Sequence, residues 1–370
     1  MKITGGMVFD LTRGFVRRDV CFDGGLIVAS GGGETYDAGG CYVIPGLTDV
    51  HFHGCRGADF SDGDPDGLAL MAEYELSRGV TQICPAGMTL LEPQLLKICR
   101  VAAKHRLAGK PGSELVGVNL EGPFLSEAKK GAQNGAWLHT PDAEMLRRLI
   151  AASEGLVKLV SVAPELPGAL EFVREASKEV NVAIAHTQAD YDTTMAALNA
   201  GAREITHLFN AMPPFTHRAP GVVGAAADFP DCRVELICDG VHIHPAVVRA
   251  VFRLFGPDRV VLISDSIRGA GMPDGQYTLG GQDVTVKGTL ATLAGGTIAG
   301  SVTDLMGCMR KAVSFGVPLA DAVRAAAVNP AQAIGIFDRV GSLDTGKQAN
   351  AVVLDNKLEL KAVFFNGTLV

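Results

Sequence analysis

The chain has 370 residues, 47% hydrophobic and 20% charged, with 45 glycines and a formal charge of −7. That length accommodates one large barrel of about 250 residues plus a small appendage, and the composition excludes a disordered or fibrous chain. The acidic balance argues against a nucleic-acid partner, so any anionic ligand has to be held by a few local cations.

Residues 1–44 come first: Gly-punctuated and β-like, without a helical stretch. The leading MKITGG lacks the apolar core of a signal peptide, and no apolar run of about 18 residues suggests a membrane span. Eight apolar runs then follow: Pro45–His51, Val80–Ala86, Leu115–Glu121, Leu156–Ala163, Asn181–His186, Glu204–Leu208, Val234–Asp239 and Val260–Asp265. Each is continuous, not alternating, as in strands of a parallel sheet buried on both faces. Helical periodicity lies between several of them, at Leu68–Arg78, Pro93–Leu107, Ala143–Ala152, Ala169–Val180 and Thr193–Ala200. This alternation predicts an α/β fold, a (β/α)8 TIM-like barrel over 45–336, with an open doubly wound sheet as the rival. A hairpin-like insertion, GQYTLGGQDVTVKGTLATLAGG, follows the eighth run. Residues 337–370 read like the first 44, so both termini are expected to meet in one small β-sandwich domain. The eight cysteines are scattered without a CxxC pair. They read as reduced thiols of a cytoplasmic protein.

Ligand-type side chains fall at the C-terminal ends of these runs. His51 and His53 close the first, Glu121 the third, His186 the fifth, His207 the sixth and Asp265 the eighth. In a barrel those ends converge on one face, where barrel active sites are built. His51 and His53, two apart, point the same way. Four imidazoles and two carboxylates could hold one divalent ion, or two that share a ligand. Each of these residues alone could be a satisfied core histidine or a helix cap; six at the ends of five strands point to a metal site. His105, His139, His217 and His244 belong to helix or loop patterns.

The motif PGLTDVHFHG resembles the opening strand of the amidohydrolase superfamily. LEGPF, KKGAQN, HLFNAM, CDGVHIHP and ISDSIRGAG, together with the terminal GSLDTGKQANAVVLD, resemble the N-acetylglucosamine-6-phosphate deacetylases over nearly the whole length. The resemblance implies that Glu121, His186 and His207 bind the main metal and that His51 and His53 match the pair binding a second in some members. It implies that Asp265 is the catalytic aspartate. Asn210, Ala211, His242 and Arg218 match residues that hold the sugar phosphate, the arginine reaching in from a second subunit of a homodimer. Many members carry a histidine, thought to orient the substrate carbonyl, where this chain has Gln133; an amide can donate there but carries no charge. The ion is expected to be zinc or iron, with manganese or cobalt also suited to such ligands.

The expected reaction is deacetylation of N-acetylglucosamine 6-phosphate to glucosamine 6-phosphate and acetate, with its galactosamine epimer as the alternative substrate. A cyclic-amide hydrolase or deaminase of the same superfamily is a second reading. Those enzymes bridge two ions with a carboxylated lysine at the end of the fourth strand, whereas Lys158 lies early in KLVSVAPE. A barrel that binds a sugar phosphate without turnover is a third. Arg268 follows Asp265 closely enough to add an anion contact or to cap its turn, while Lys129 and Lys130 read as a solvated charge run.

Overall fold

The computed structural model describes residues 1–370. Its centre is a ring of parallel strands: β1 (Leu47–Asp49), β2 (Val80–Ile83), β3 (Val118–Phe124), β4 (Val157–Val162), β5 (Asn181–Ile184), β6 (Glu204–Ile205), β7 (Arg233–Ile237) and β8 (Val260–Ile263). Apart from β2 and β3, each pairs in parallel with the next, as in Leu47↔Val80 between β1 and β2 and Val234↔Val260 between β7 and β8. The step from β2 to β3 runs through two short extensions, Glu114–Leu115 beside β2 and Ala86–Gly87 beside β3. The ring closes between β8 and β1. There the Asp265 N–H donates to His51 O at 2.9 Å, and Ser264 Oγ donates to Asp49 Oδ2 at 2.6 Å. The fold is therefore a (β/α)8 barrel, and the open-sheet rival falls.

Strand residues reach both an inner and an outer apolar layer, which is why the runs are continuous. Val160 and Val162 of β4 pack outward in the large core shared with the helices, while Leu159 packs inward with Val50, Ile237 and Val261. Full burial of each such side chain is worth about 1.5–3 kcal/mol. The helix Ala143–Ala152 begins where expected because Asp142 accepts the Met145 N–H at 2.9 Å, and Asp190 caps Tyr191–Ala200 in the same way at 2.8 Å. These caps satisfy amide groups that the first helical turn leaves without partners.

Both termini share one sheet. Its order is Thr368–Leu369, Leu360–Phe365, Ala351–Leu354, Tyr42–Pro45, Met7–Asp10, Gly14–Arg17, with Val352 opposite Ile44. A second sheet of Leu26–Val28, Val20–Asp23, Lys2–Thr4 and Thr35–Asp37 lies against it. Ile3, Val20 and Phe22 from one sheet meet Val43, Val353 and Phe364 from the other, with the two phenylalanine rings 5.6 Å apart. The terminal unit is a β-sandwich. The insertion after β8 is a three-stranded antiparallel meander, Gly275–Leu279, Gln282–Lys287 and Leu290–Leu293, one strand more than a hairpin. No helix is long and apolar enough to cross a membrane.

Candidate active site

The ligand-type residues stand just where the strands give out. β5 stops at Ile184, β6 at Ile205 and β8 at Ile263, short of the expected ends. The physical reason lies two residues further on, where the backbone turns into the left-handed region: φ is 45° at His186, 28° at His207 and 48° at Asp265. Such a conformation breaks a ladder and costs about 1–3 kcal/mol at a non-glycine residue, so the surroundings must hold it. Around Asp265 they do: its N–H donates to His51 O, and its carbonyl accepts the Ser301 N–H at 2.7 Å. Gly300 leaves the room for this, since a Cβ there would lie 2.9 Å from Asp265 O. Glu121 alone lies within its strand.

All six side chains converge. Glu121 Oε1 lies 2.9 Å from His207 Nε2, 3.1 Å from His186 Nε2 and 3.5 Å from His51 Nε2. Its Oε2 and the Asp265 Oδ1 each lie 3.2 Å from His53 Nε2. Two overlapping donor trios result, His51–His53–Glu121 and Glu121–His186–His207, the atoms of each within 4.8 Å of one another. The outward nitrogens explain why the inward ones face Glu121. His53 Nδ1 meets Ala86 O at 3.1 Å and His186 Nδ1 meets Lys129 O at 2.8 Å, while His51 Nδ1 meets Glu235 Oε2 at 2.9 Å. Carbonyl and carboxylate oxygens only accept, so Nδ1 is the donor and, in the neutral ring, Nε2 keeps a lone pair toward the centre. His51 Nε2 is a buried atom with no hydrogen-bond partner, as an atom intended for a cation would be. The residues fit a divalent metal.

The electrostatics agree. Burial pushes the Glu121 carboxyl up, but His51, His186 and His207 outweigh it and hold it well below the usual range. Asp265 is likewise raised by burial and lowered further by His53 and His51, so it is ionised. Burial would lower His53, yet Asp265 and Glu121 bring it up to about 10. Carboxylates that hold protons on buried imidazoles this firmly provide a field in which a divalent cation displaces those protons.

Above this floor opens a cleft of about 380 Å3. His53, Glu121, His186, His207 and Asp265 line it, as do Gln133, Asn210, Ala211 and His242. His242 is oriented by Asp239, whose Oδ2 accepts from Nδ1 at 2.8 Å. Asn210 Nδ2 is turned back on His207 O and Leu208 O, at 3.1 and 3.3 Å. Ala211 holds φ 53° and caps Thr187, accepting its N–H at 3.1 Å. Arg218 stands apart: it is exposed and lines a separate surface cleft with Asp190 and Tyr191. Arg268 is drawn to Asp62 at 3.0 Å and Asp59 at 3.4 Å, on the turn and away from the cleft. Lys130 pairs with exposed Glu127, but Lys129 lines the cleft, its Nζ 3.4 Å from Met212 O, so only one of the two belongs to a solvated run. Lys158 is the second residue of β4 and lines a cleft with Arg106 and Arg339, away from the ligand residues.

Sequence reasoning missed Glu235, whose Oε2 accepts from both His51 Nδ1 and the His207 N–H at 3.2 Å. The signal was present: one carboxylate inside the apolar run RVELI, fully buried. It also missed the apolar wall of Met88, Leu279 and Ile298, supplied by segments far apart in the chain.

A barrel whose strand ends gather two histidine–carboxylate trios around one shared glutamate defines a class, and an amidohydrolase family model matches residues 42–370. The chain belongs to the amidohydrolase family and is a hydrolase. It is 37% identical to the N-acetylglucosamine-6-phosphate deacetylase of Vibrio furnissii, over 89% of this chain and 82% of that one. It is 35% identical to an N-acetylgalactosamine-6-phosphate deacetylase of Escherichia coli O157:H7, over 88% and 87%. Among solved structures, a variant N-acetyl-D-glucosamine-6-phosphate deacetylase from Mycobacterium smegmatis, in complex with N-acetyl-D-glucosamine-6-phosphate, matches with a TM-score of 0.93 at 36% identity. That likeness covers 100% of this chain and 98% of the other.

Proposed function

We propose that this chain hydrolyses N-acetylglucosamine 6-phosphate to glucosamine 6-phosphate and acetate. The observation that carries this is the convergence of Asp265 and both donor trios on Glu121 at the floor of a cleft with a polar rim. Deacetylases of the same amino-sugar phosphates among the relatives support the substrate class. Similar identity to a galactosamine-type relative makes the epimer the alternative to be measured alongside.

Glu121, His186 and His207 would hold one divalent ion, and His51, His53 and Glu121 a second; zinc or iron suits these ligands best, with manganese or cobalt possible. When bound, such an ion supplies Lewis acidity, polarising the amide carbonyl and lowering the pKa of water toward about 7. Asp265, ionised at the mouth of the floor, accepts the proton of the attacking water on its carboxylate. It then returns that proton to the departing nitrogen, which could not leave as an anion. Met88, Leu279 and Ile298 exclude water from one side of the cleft. His242, Asn210 and Ala211 bind and orient the sugar phosphate, and Gln133 lines the cleft beside Glu121.

Arg218 completes phosphate binding from a partner subunit in a homodimer; its exposure, away from its own cleft, supports this. A guanidinium matches a phosphate as a bidentate donor. We place the protein in the cytoplasm, in keeping with eight unpaired cysteines. Residues 1–44 and 337–370 act as one structural unit beside the catalytic barrel of 45–336. The test is acetate release from metal-replete protein on both epimers. Absence of acetate from either substrate refutes the reading, and turnover of the galactosamine epimer alone would transfer it.

A further inference from the structure

Gln133 is 2% exposed and lies on the loop after β3 with both ends of its carboxamide engaged by protein. Its Oε1 accepts the Thr89 N–H at 2.7 Å, and its Nε2 donates to Glu121 Oε2 at 2.6 Å. A backbone N–H only donates and an ionised carboxylate only accepts, so the two contacts fix the same amide orientation. The two backbone segments involved are themselves in close contact. A Cβ at Gly122, beside Glu121, would lie 2.3 Å from Thr89 Oγ1 and 3.3 Å from Thr89 Cα.

The consequence falls on the two oxygens of Glu121. Oε1 faces His207, His186 and His51 and carries no amide donor. Oε2 faces His53 and already accepts from Gln133. A carboxylate oxygen offers about two lone-pair directions, and a hydrogen bond occupies one and draws charge from the atom. Oε2 is therefore the poorer ligand of the two.

We propose that Gln133 is a positioning residue that makes the two metal positions unequal. It turns Glu121 so that Oε1 serves the His186–His207 position, and it weakens Oε2 as a ligand for the His51–His53 position. The inference rests on the metal site described above and on no property of the substrate. A carboxamide neither gains nor loses a proton in the working range, so the inequality is a fixed feature of the site.

The experiment titrates metal-free, full-length protein with Co2+, follows visible absorption, and checks final metal content by elemental analysis. Wild type takes its second equivalent about tenfold or more weakly than its first, the scale on which such supporting contacts act. Gln133→Met keeps the length but removes the donor, and brings the two steps to within about threefold of each other. Gln133→Leu serves the same arm if the methionine variant does not fold. Gln133→His restores the separation, because one imidazole nitrogen can accept from Thr89 while the other donates to Glu121. Saturated with metal, Gln133→Met keeps the wild-type KM and changes kcat alone. Equal affinities in wild type, or an unchanged ratio in the variant lacking the donor, overturn the proposal. A raised KM with an unchanged metal ratio also overturns it, by making Gln133 a substrate ligand. The titration needs no turnover, so failure of the proposed deacetylation would leave this result readable.

Discussion

On the floor of the cleft, His51, His53, Glu121, His186, His207 and Asp265 are each 7% exposed or less, and most of their outward atoms are held by named partners. On the rim, Asn210, Ala211 and His242 are half-buried, while Arg218 stands apart on a separate cleft and faces solvent. The floor is over-determined by its own chain; the rim is not. A site that holds a cation must fix several donors to within a fraction of an ångström, and burial, strained backbone and a second layer of hydrogen bonds do that. A site that grips a mobile sugar phosphate has to open, and it can borrow a charge from elsewhere. The comparison predicts that floor substitutions act on metal and rate, and rim substitutions on affinity.

Glu121→Gln should have the largest effect, because both trios pass through that residue. Its metal content, read by elemental analysis, should fall together with turnover, by more than the upper bound of about 100-fold that applies to loss of a supporting contact. A Glu121→Gln protein retaining both would mean that the trios are not the metal site. Asp265→Asn comes next. It should cut kcat by about 100- to 10,000-fold, the range of a lost acid–base group, while metal content stays at wild-type level. If metal is lost as well, Asp265 is chiefly a ligand, and the division between holding the cation and moving the proton disappears.

Glu235→Gln probes the layer beneath. The carboxylate accepts from His51 Nδ1 and from the backbone of His207, so neutralising it should weaken metal affinity about 10- to 100-fold without touching the substrate. Competition against a chelator measures this, and an unchanged affinity would show that the floor does not depend on its second layer.

The barrel was legible because its strands are buried on both faces and its helices announce themselves by caps; Ala143–Ala152 was placed to the residue. The strand ends were read too long at His186, His207 and Asp265, since apolar continuity says nothing of a φ that turns positive where the ladder stops. The floor was legible because ligand types at strand ends share one face by topology alone. Glu235 was missed because a lone glutamate in an apolar strand has no periodic signature, and Met88, Leu279 and Ile298 because no spacing relates loops that meet only in the folded chain. Arg218 was found by resemblance, and its own chain does not bring it to the cleft.

That residue gives the comparison its sharpest test, although its expected effect is no larger than that of Glu235→Gln. Losing one charge-assisted hydrogen bond costs about 1.5–3 kcal/mol, so Arg218→Ala should raise KM about 10- to 100-fold with kcat little changed. The same number would follow if the arginine folded back onto its own cleft, so a kinetic constant alone does not separate the two. Mixing does. Arg218→Ala and Asp265→Asn proteins, each weak alone, are dissociated, combined and reassociated. If the arginine crosses between subunits, a mixed dimer contains one cleft with an intact Asp265 and an intact arginine from its neighbour. Random pairing of equal amounts then restores about a quarter of wild-type sites at low substrate concentration. If each cleft uses its own Arg218, no mixed dimer contains an intact cleft, and the mixture shows only the average of its parts. Recovery would establish that the rim is unfinished within one chain; its absence would return Arg218 to the surface, leaving His242 and Lys129 as the basic side chains that line the cleft.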